Sequence, residues 1–434
     1  MKKYLFRGGA LLGISAILSK LVSFFRDRLL LDIFPTEKVD IVFAAFRIPD
    51  FFYYLFVGAT ISVIFLPRVI DLKEKEKLEY FSSFLWGVLF FFGGLSLLGI
   101  FSVEFLVQLF AKGFDKHLQG EIATLSQLLF GSVFLLSLSG VFAAFLQAKQ
   151  KFISIALAPL FYMSGICIGL FLFRDSFGLL IIGYSAIFGG FLHLFANMLY
   201  FFLNKGKIGF FWKKPISAWK NFQADFWRRV LNNSAFQLNQ SADILIASFL
   251  ITGSITAFSI GTNLGHFLLS IVGFSVANSA FPKLTKHKFN WSKQKIILHN
   301  ALKWILLFCI PATIFALFFL REILELGFGL SDTPLEMTHT VFFWTVLSLP
   351  AACMIPVLSR VFLANDDTST PLWINFCSLL GATGLAAYLS LIVFPPEKAI
   401  LGLALGNFTA NFLTLGLFWF FFQRKIKMTS VDSI

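Results

Sequence analysis

The chain has 434 residues, 57% of them hydrophobic and only 14% charged, with a mean hydropathy of +0.80. A soluble domain carries nearer a quarter charged residues, so the composition excludes the soluble globular class and reads as an all-α polytopic membrane protein. A net charge of +13 would suit nucleic acid. Most Lys and Arg, however, fall in short loops on alternate sides of apolar segments, as the positive-inside rule requires, so no nucleic-acid partner is expected.

The chain opens with Met1-Lys-Lys-Tyr-Leu-Phe-Arg7 and an apolar run that mimics a signal peptide. That run continues into Phe24-Phe25-Arg26-Asp27-Arg28 without a small-residue cleavage site, so it reads as a retained first span. Windows of about 20 apolar residues predict about twelve transmembrane helices. They fall near 8–33, 40–67, 80–111, 121–148, 153–173, 177–203, 225–251, 254–282, 294–320, 337–364, 370–394 and 399–423. With both termini cytoplasmic, the external segments hold only Lys38, Lys112, Lys116, Arg174, Arg321 and Lys398.

Two six-helix lobes are expected, over 1–203 and 225–434. An interfacial amphipathic linker over 204–224 would join them, with Trp212 and Trp219 at headgroup depth. The halves echo each other. Gly58 to Pro67-Arg68 closes the second span, and Gly273 to Pro282-Lys283 closes the eighth with the same spacing. Phe145-Leu-Gln-Ala148 and Phe362-Leu-Ala-Asn365 end the fourth and tenth spans alike. Six spans separate each pair, which describes a parallel pseudo-repeat about an axis along the membrane normal.

The chemistry is concentrated near the start. Lys20, Ser23 and Asp27 share one helical face. Arg26 flanks it, and Arg47 enters the second span just before Pro49-Asp50. A charge at the centre of a spanning helix costs roughly 2.5–3.5 kcal/mol, so such groups face a wet cavity or a partner. Guanidinium groups suit phosphate and carboxylate, and an anionic cargo is expected. The plainer alternative pairs Arg26 and Arg28 with Asp27 or Asp32 near the membrane edge. Asp40, at the mouth of the second span, and Asp243, inside the seventh, would counter a cavity arginine or carry a coupling cation. Arg360 with Asp366 and Asp367 reads as a helix-end charge cluster. His193, His266 and the four cysteines read as packing residues, and the 60 phenylalanines as lipid-facing. No metal site is expected. Nucleotide-binding and hydrolase signatures are missing from the sequence, so a transporter is expected rather than an enzyme. It would need no cofactor and would draw on the membrane potential or a monovalent cation.

Three runs carry a family resemblance: Ser19-Lys-Leu-Val-Ser-Phe-Phe-Arg-Asp27, Asp40 through Arg47-Ile-Pro-Asp50 to Pro67, and Phe362-Leu-Ala-Asn-Asp-Asp-Thr-Ser-Thr-Pro371. Together with Gln240-Ser-Ala-Asp243, they resemble the MurJ/MviN lipid II flippases of the MOP exporter superfamily. The resemblance implies two lobes around a cationic cavity that opens alternately to the cytoplasm and the outside of the bacterial plasma membrane. The implied cargo is the undecaprenyl-diphosphate-linked peptidoglycan precursor, and peptidoglycan synthesis machinery is an implied partner. By position, Arg26 matches a family cavity arginine, Lys20 stands where another is usual, and Asp40 matches the acid opening the second span. Members often carry arginine near Tyr53 or Tyr54 and at the place of Asn263, and commonly two further C-terminal spans. Another polyprenyl-diphosphate oligosaccharide, a drug, and a non-transporting scaffold role are the alternatives.

Overall fold

The computed structural model describes residues 2–58, 61, 65, 68–69, 72–174, 176–209, 230, 234 and 237–431. These residues form helices and no strand. Among the described residues, eight helices are long and apolar enough to cross a membrane, or nine when one bent pair is counted as a single span. The sequence windows number twelve. The chain divides into two compact units, Met1–Gln237 and Leu238–Ile434.

The first unit comprises α1 (Lys2–Ile33), α2 (Thr36–Phe52), α3 (Glu74–Phe101), α4 (Val103–Phe110), α5 (Lys116–Ala148), α6 (Ile153–Phe173) and α7 (Leu180–Leu203). Its tightest seam joins α6 to α7 through residues without bulk. A Cβ added to Gly165 would lie 2.6 Å from the Gly189 Cα, one on Gly169 would strike Ser185, and one on Gly189 would strike the Tyr162 carbonyl. Gly165 and Gly169 are thus a small-xxx-small pair that lets two backbones touch, as helices do where lipid removes the hydrophobic driving force. Helix α1 lies along α6, where Ser15 donates to the Ala156 carbonyl and the Cys167 thiol to the Val22 carbonyl at 3.9 Å.

Phenylalanine does more here than meet lipid. Phe65, Phe81, Phe84, Phe92, Phe142, Phe145 and Phe201 form a buried core between α3, α5 and α7, with the Phe81 and Phe201 rings stacked at 4.7 Å. Others, such as Phe101 and Phe171, are exposed as the sequence suggests. After α7 the chain turns through Lys205 at φ 60°. It then docks on α3, where Gly209 N donates to Ser82 Oγ at 3.0 Å and Trp86 Nε1 to the Gly209 carbonyl at 3.3 Å. From residue 210 the expected amphipathic linker lies outside the described residues, as do most of the stretch from Gly58 to Pro67 and the tryptophans at 212, 219 and 227.

The second unit is helical at 238–248 and then forms α8 (Ser254–Leu269), α9 (Ser275–Lys286), α10 (Trp291–Phe318), α11 (Leu320–Phe328), α12 (Asp332–Leu347), α13 (Leu349–Ala364), α14 (Ser369–Tyr388) and α15 (Ile400–Val431). Helices α12 and α13 meet at a 48° bend. Pro350 at the start of α13 has no N–H to continue the α12 ladder, and Ser348 at the corner accepts from Asn411 Nδ2 at 3.0 Å. Cys309 and Cys353 pack fully buried in the core between α10, α13 and α15.

One end of this unit is a polar joint. Buried Asn365 donates to Gln294 Oε1 at 2.8 Å and to the Val361 carbonyl at 2.7 Å, while its Oδ1 accepts from Phe289 N at 2.6 Å. The expected cluster of Arg360 with Asp366 and Asp367 is corrected here. Arg360 donates to Asn278 Oδ1 at 3.1 Å and lies over the Phe281 ring. Asp366 pairs instead with Lys288, and Asp367 with Lys425 at 3.4 Å. The turn at Asp366 (φ 59°) sends the two acids away from the arginine.

Asp367 also closes the N-terminus of α14, accepting from Thr370 N at 3.0 Å and Thr370 Oγ1 at 2.8 Å. Partial burial works against the charged form, but the Thr370 amide and hydroxyl and the Lys425 ammonium outweigh it and hold this carboxyl below its usual value. A carboxyl lowered by folding adds stability above its unfolded value of about 3.9, and that stability is lost as pH falls through the folded value. Asp367→Ala is expected to cost about 1 kcal/mol near neutrality, as lost helix caps do, and the gap from wild type should close in acid. Thermal melts between pH 7 and 3 read this, and a gap constant across that range would refute it.

Candidate functional site: a buried cation cluster in the first unit

The site is built on α1 where it meets α2 and α6. Arg26 and Asp27 are adjacent in sequence, so their Cα–Cβ vectors diverge, yet the long arginine folds back over the acid. Arg26 Nε and Nη2 donate to Asp27 Oδ1 at 2.9 and 2.5 Å. The other face of the guanidinium lies 5.7 Å from the centroid of the Phe46 ring on α2. The two side chains are 12% and 1% exposed, so the pair sits deep while the arginine keeps an outlet. Arg26 Nη1 takes no part in these bonds, and a guanidinium has five N–H groups. Donors for an incoming anion therefore remain. Asp27 Oδ2 is buried without a hydrogen-bond partner among the described residues.

Lys20, one turn and a half back along α1, is half-buried. It interacts electrostatically with Arg26, which repels it, and with Asp27, which attracts it. Lys20, Arg26 and Asp27 thus form one cluster carrying two positive charges against one negative. Arg28 departs from it to pair with Asp32 at 2.9 Å on an exposed flank. The pairings of Arg26 and Arg28 are those of the plainer sequence alternative, but the burial of Asp27 and Arg26 is greater than a membrane-edge position suggests.

Arg47 on α2 is 9% exposed. Its Nη2 donates to the Gln237 carbonyl at 2.7 Å and to Gln237 Oε1 at 3.1 Å. Helix α2 is held against α5 by Lys38–Glu121 at 2.6 Å and by Ser126 Oγ donating to the Ala45 carbonyl at 3.1 Å, which fixes where Arg47 stands. Asp40 is buried on the same helix at 4% exposure. In the second unit, Asp243 is buried at 3% and its Oδ2 accepts from Asn239 and Asn407, each at 3.3 Å. Asn263 is half-buried on α8. His193 packs against Ser139 Oγ at 2.7 Å, which Asn197 also reaches at 3.0 Å.

Sequence reasoning missed Phe46. An aromatic in an apolar span carries no signal of its own until a cation is seen beside it. The width of α2 past Phe52 was also missed: Tyr53–Gly58 is a π turn, a form enriched at functional sites. Pro49, four residues before its first residue, was the available clue.

The described residues are helical, several of the helices are long and apolar enough to cross a membrane, and the first unit holds a paired cation cluster; solved membrane-protein structures share this fold. The structure described as "Lipid II flippase MurJ, inward closed conformation" matches with a TM-score of 0.80 at 22% identity, covering 95% of this chain and 87% of that one. An inward-facing multidrug resistance MATE family transporter of the MOP superfamily matches with a TM-score of 0.68 at 12% identity, over 94% and 96%. Both likenesses establish the fold. Residues 33–434 match the family model described as Lipid II flippase MurJ, and the chain belongs to that family. A relative from Buchnera aphidicola subsp. Schizaphis graminum, described as a probable lipid II flippase MurJ, is 24% identical over 433 residues, covering 95% of this chain and 82% of the relative.

Removing one partner of a buried ion pair leaves the other charge uncompensated and costs about 3–5 kcal/mol. Arg26→Ala and Asp27→Ala are each expected to lower thermal stability in detergent by that order, and the double variant by less than their sum. Additive losses would show that the two side chains are not coupled.

Proposed function

We propose that this chain carries lipid II, an undecaprenyl-diphosphate-linked peptidoglycan precursor, from the cytoplasmic to the outer leaflet of the bacterial plasma membrane by alternating access. The observation that supports it most is the Lys20–Arg26–Asp27 cluster. It places excess positive charge and unused guanidinium donors inside an apolar helical unit, where a diphosphate would repay their desolvation. Membership in the lipid II flippase family supplies the cargo class.

Arg26 would take the diphosphate through its remaining N–H groups, and Lys20 would add a second cation one turn and a half away. Asp27 would hold Arg26 in place and keep the cluster tolerable when empty. Arg47 and Asp40 complete the proposed substrate set of the first unit; in the second unit, taken by itself, Asn263 is a proposed substrate contact and Asp243 the proposed seat of a counter-charge or monovalent cation. No cofactor is needed. Moving one negative charge outward gains about 2.3 kcal/mol per 100 mV of membrane potential, so the potential is a sufficient drive. Both termini are placed in the cytoplasm on the distribution of Lys and Arg, and the peptidoglycan synthesis machinery is the proposed consumer on the outer side.

The test is replacement of a host's own lipid II flippase. Expression of this chain should restore growth and expose lipid II at the outer face. Arg26→Ala at normal protein level should abolish both, whereas Arg28→Ala should not. Retained transport in the Arg26 variant would remove that residue from the site. Failure of the well-inserted wild type across several hosts would move the cargo to another polyprenyl-diphosphate oligosaccharide.

A further inference from the structure

The π turn at the end of α2 opens beside a group of side chains that anion binding does not use. Asp50, half-buried on α2, carries a carboxylate that nothing among the described residues hydrogen-bonds, and it interacts electrostatically with Arg47 and Arg26. Three tyrosines feel its charge: Tyr53 and Tyr54 at the start of the π turn, and Tyr162 on α6. The Tyr53 and Tyr54 rings meet edge to face with centroids 5.3 Å apart. Tyr54 is 48% exposed. Tyr162 also interacts electrostatically with Arg26, so the group adjoins the cation cluster. All of these residues belong to the first unit.

An exposed ring alone would suit lipid. A carboxylate without protein donors does not, because ionised groups in the apolar layer face polar surroundings. A bare phosphate is a poor occupant too, since Asp50 would repel it. An open aromatic face, phenol hydroxyls and a carboxylate that only accepts hydrogen bonds fit a neutral occupant with C–H faces and many hydroxyls. That description is a sugar. We propose that Asp50, Tyr53, Tyr54 and Tyr162 form a saccharide subsite beside Arg26, binding the sugar joined to the diphosphate. The Tyr54 ring stacks on the sugar face, and Asp50 accepts from its hydroxyls. The inference rests on the flippase reading and assigns the second half of the headgroup.

Two probes separate the halves: undecaprenyl diphosphate, which has no sugar, and lipid II, which has one. Equilibrium binding to the purified full chain should favour lipid II. Tyr54→Leu and Asp50→Asn should each weaken lipid II about tenfold, the scale of one lost stacking or hydrogen-bonding contact, and leave undecaprenyl diphosphate as tight as before or tighter. Tyr54→Phe should keep most of the preference, and Arg26→Ala should weaken both probes. If Tyr54→Leu fails to fold, Asp50→Asn carries the test. An unchanged lipid II preference in Asp50→Asn and Tyr54→Leu, or equal losses for both probes, overturns the subsite. A wild type that binds undecaprenyl diphosphate as well as lipid II also overturns it while leaving the flippase reading intact. A wild type that binds neither overturns both.

Discussion

Everything described in the first unit depends on how a charge is kept inside an apolar layer. Asp27 is nearly inaccessible, and its tolerable partner is the guanidinium next to it in sequence. That pair is made by one helix alone, so it survives whatever the neighbouring helices do. What the neighbours supply is orientation. Phe46 covers one face of the guanidinium, and Lys20 adds a second positive charge that Asp27 only partly offsets. The cluster is stable because it is paired, and useful because the pairing is incomplete.

The packing around it serves that arrangement. Helix α6 is drawn against α7 by Gly165, Gly169, Ser185 and Gly189, and α1 lies along α6 through the Ser15 and Cys167 contacts. Helix α2 is fixed on α5 by a salt bridge at one end and a serine near its middle. The remainder of the unit is filled by ring against ring, with edge and stacked contacts that offer bulk without polar atoms. Such a scaffold places Arg26, Arg47 and Tyr162 from three different helices.

Much of this was legible in the sequence, for physical reasons. Hydropathy finds spans because lipid demands them, and the face shared by Lys20 and Asp27 follows from helical geometry. The cluster's membership was therefore readable, and so was the family. The inward pairing of Arg26 with its own neighbour was not, since consecutive residues point apart and only the arginine's length closes the gap. Phenylalanine defeated the reading of burial: a ring that faces lipid and a ring that faces other rings are equally apolar, so composition cannot sort Phe101 from Phe81. The charge cluster at Arg360 was misread because the turn at Asp366 reverses the chain with a non-glycine residue in a left-handed conformation. The run from Phe362 to Pro371 carries a family resemblance. Part of its content is mechanical: Asn365 and Asp367 tie α13 and α14 to the turn after α9 and to Lys425 on α15.

The glycine seam between α6 and α7 has a historical consequence as well as a geometric one. Where backbones touch, neither side can accept a methyl group unless the other retreats, and a backbone cannot retreat by point substitution. A side chain at Gly165 or Gly189 is therefore blocked from both directions at once. The two helices should pass through evolutionary time as a fused unit, their shared line fixed while the residues around it are rewritten.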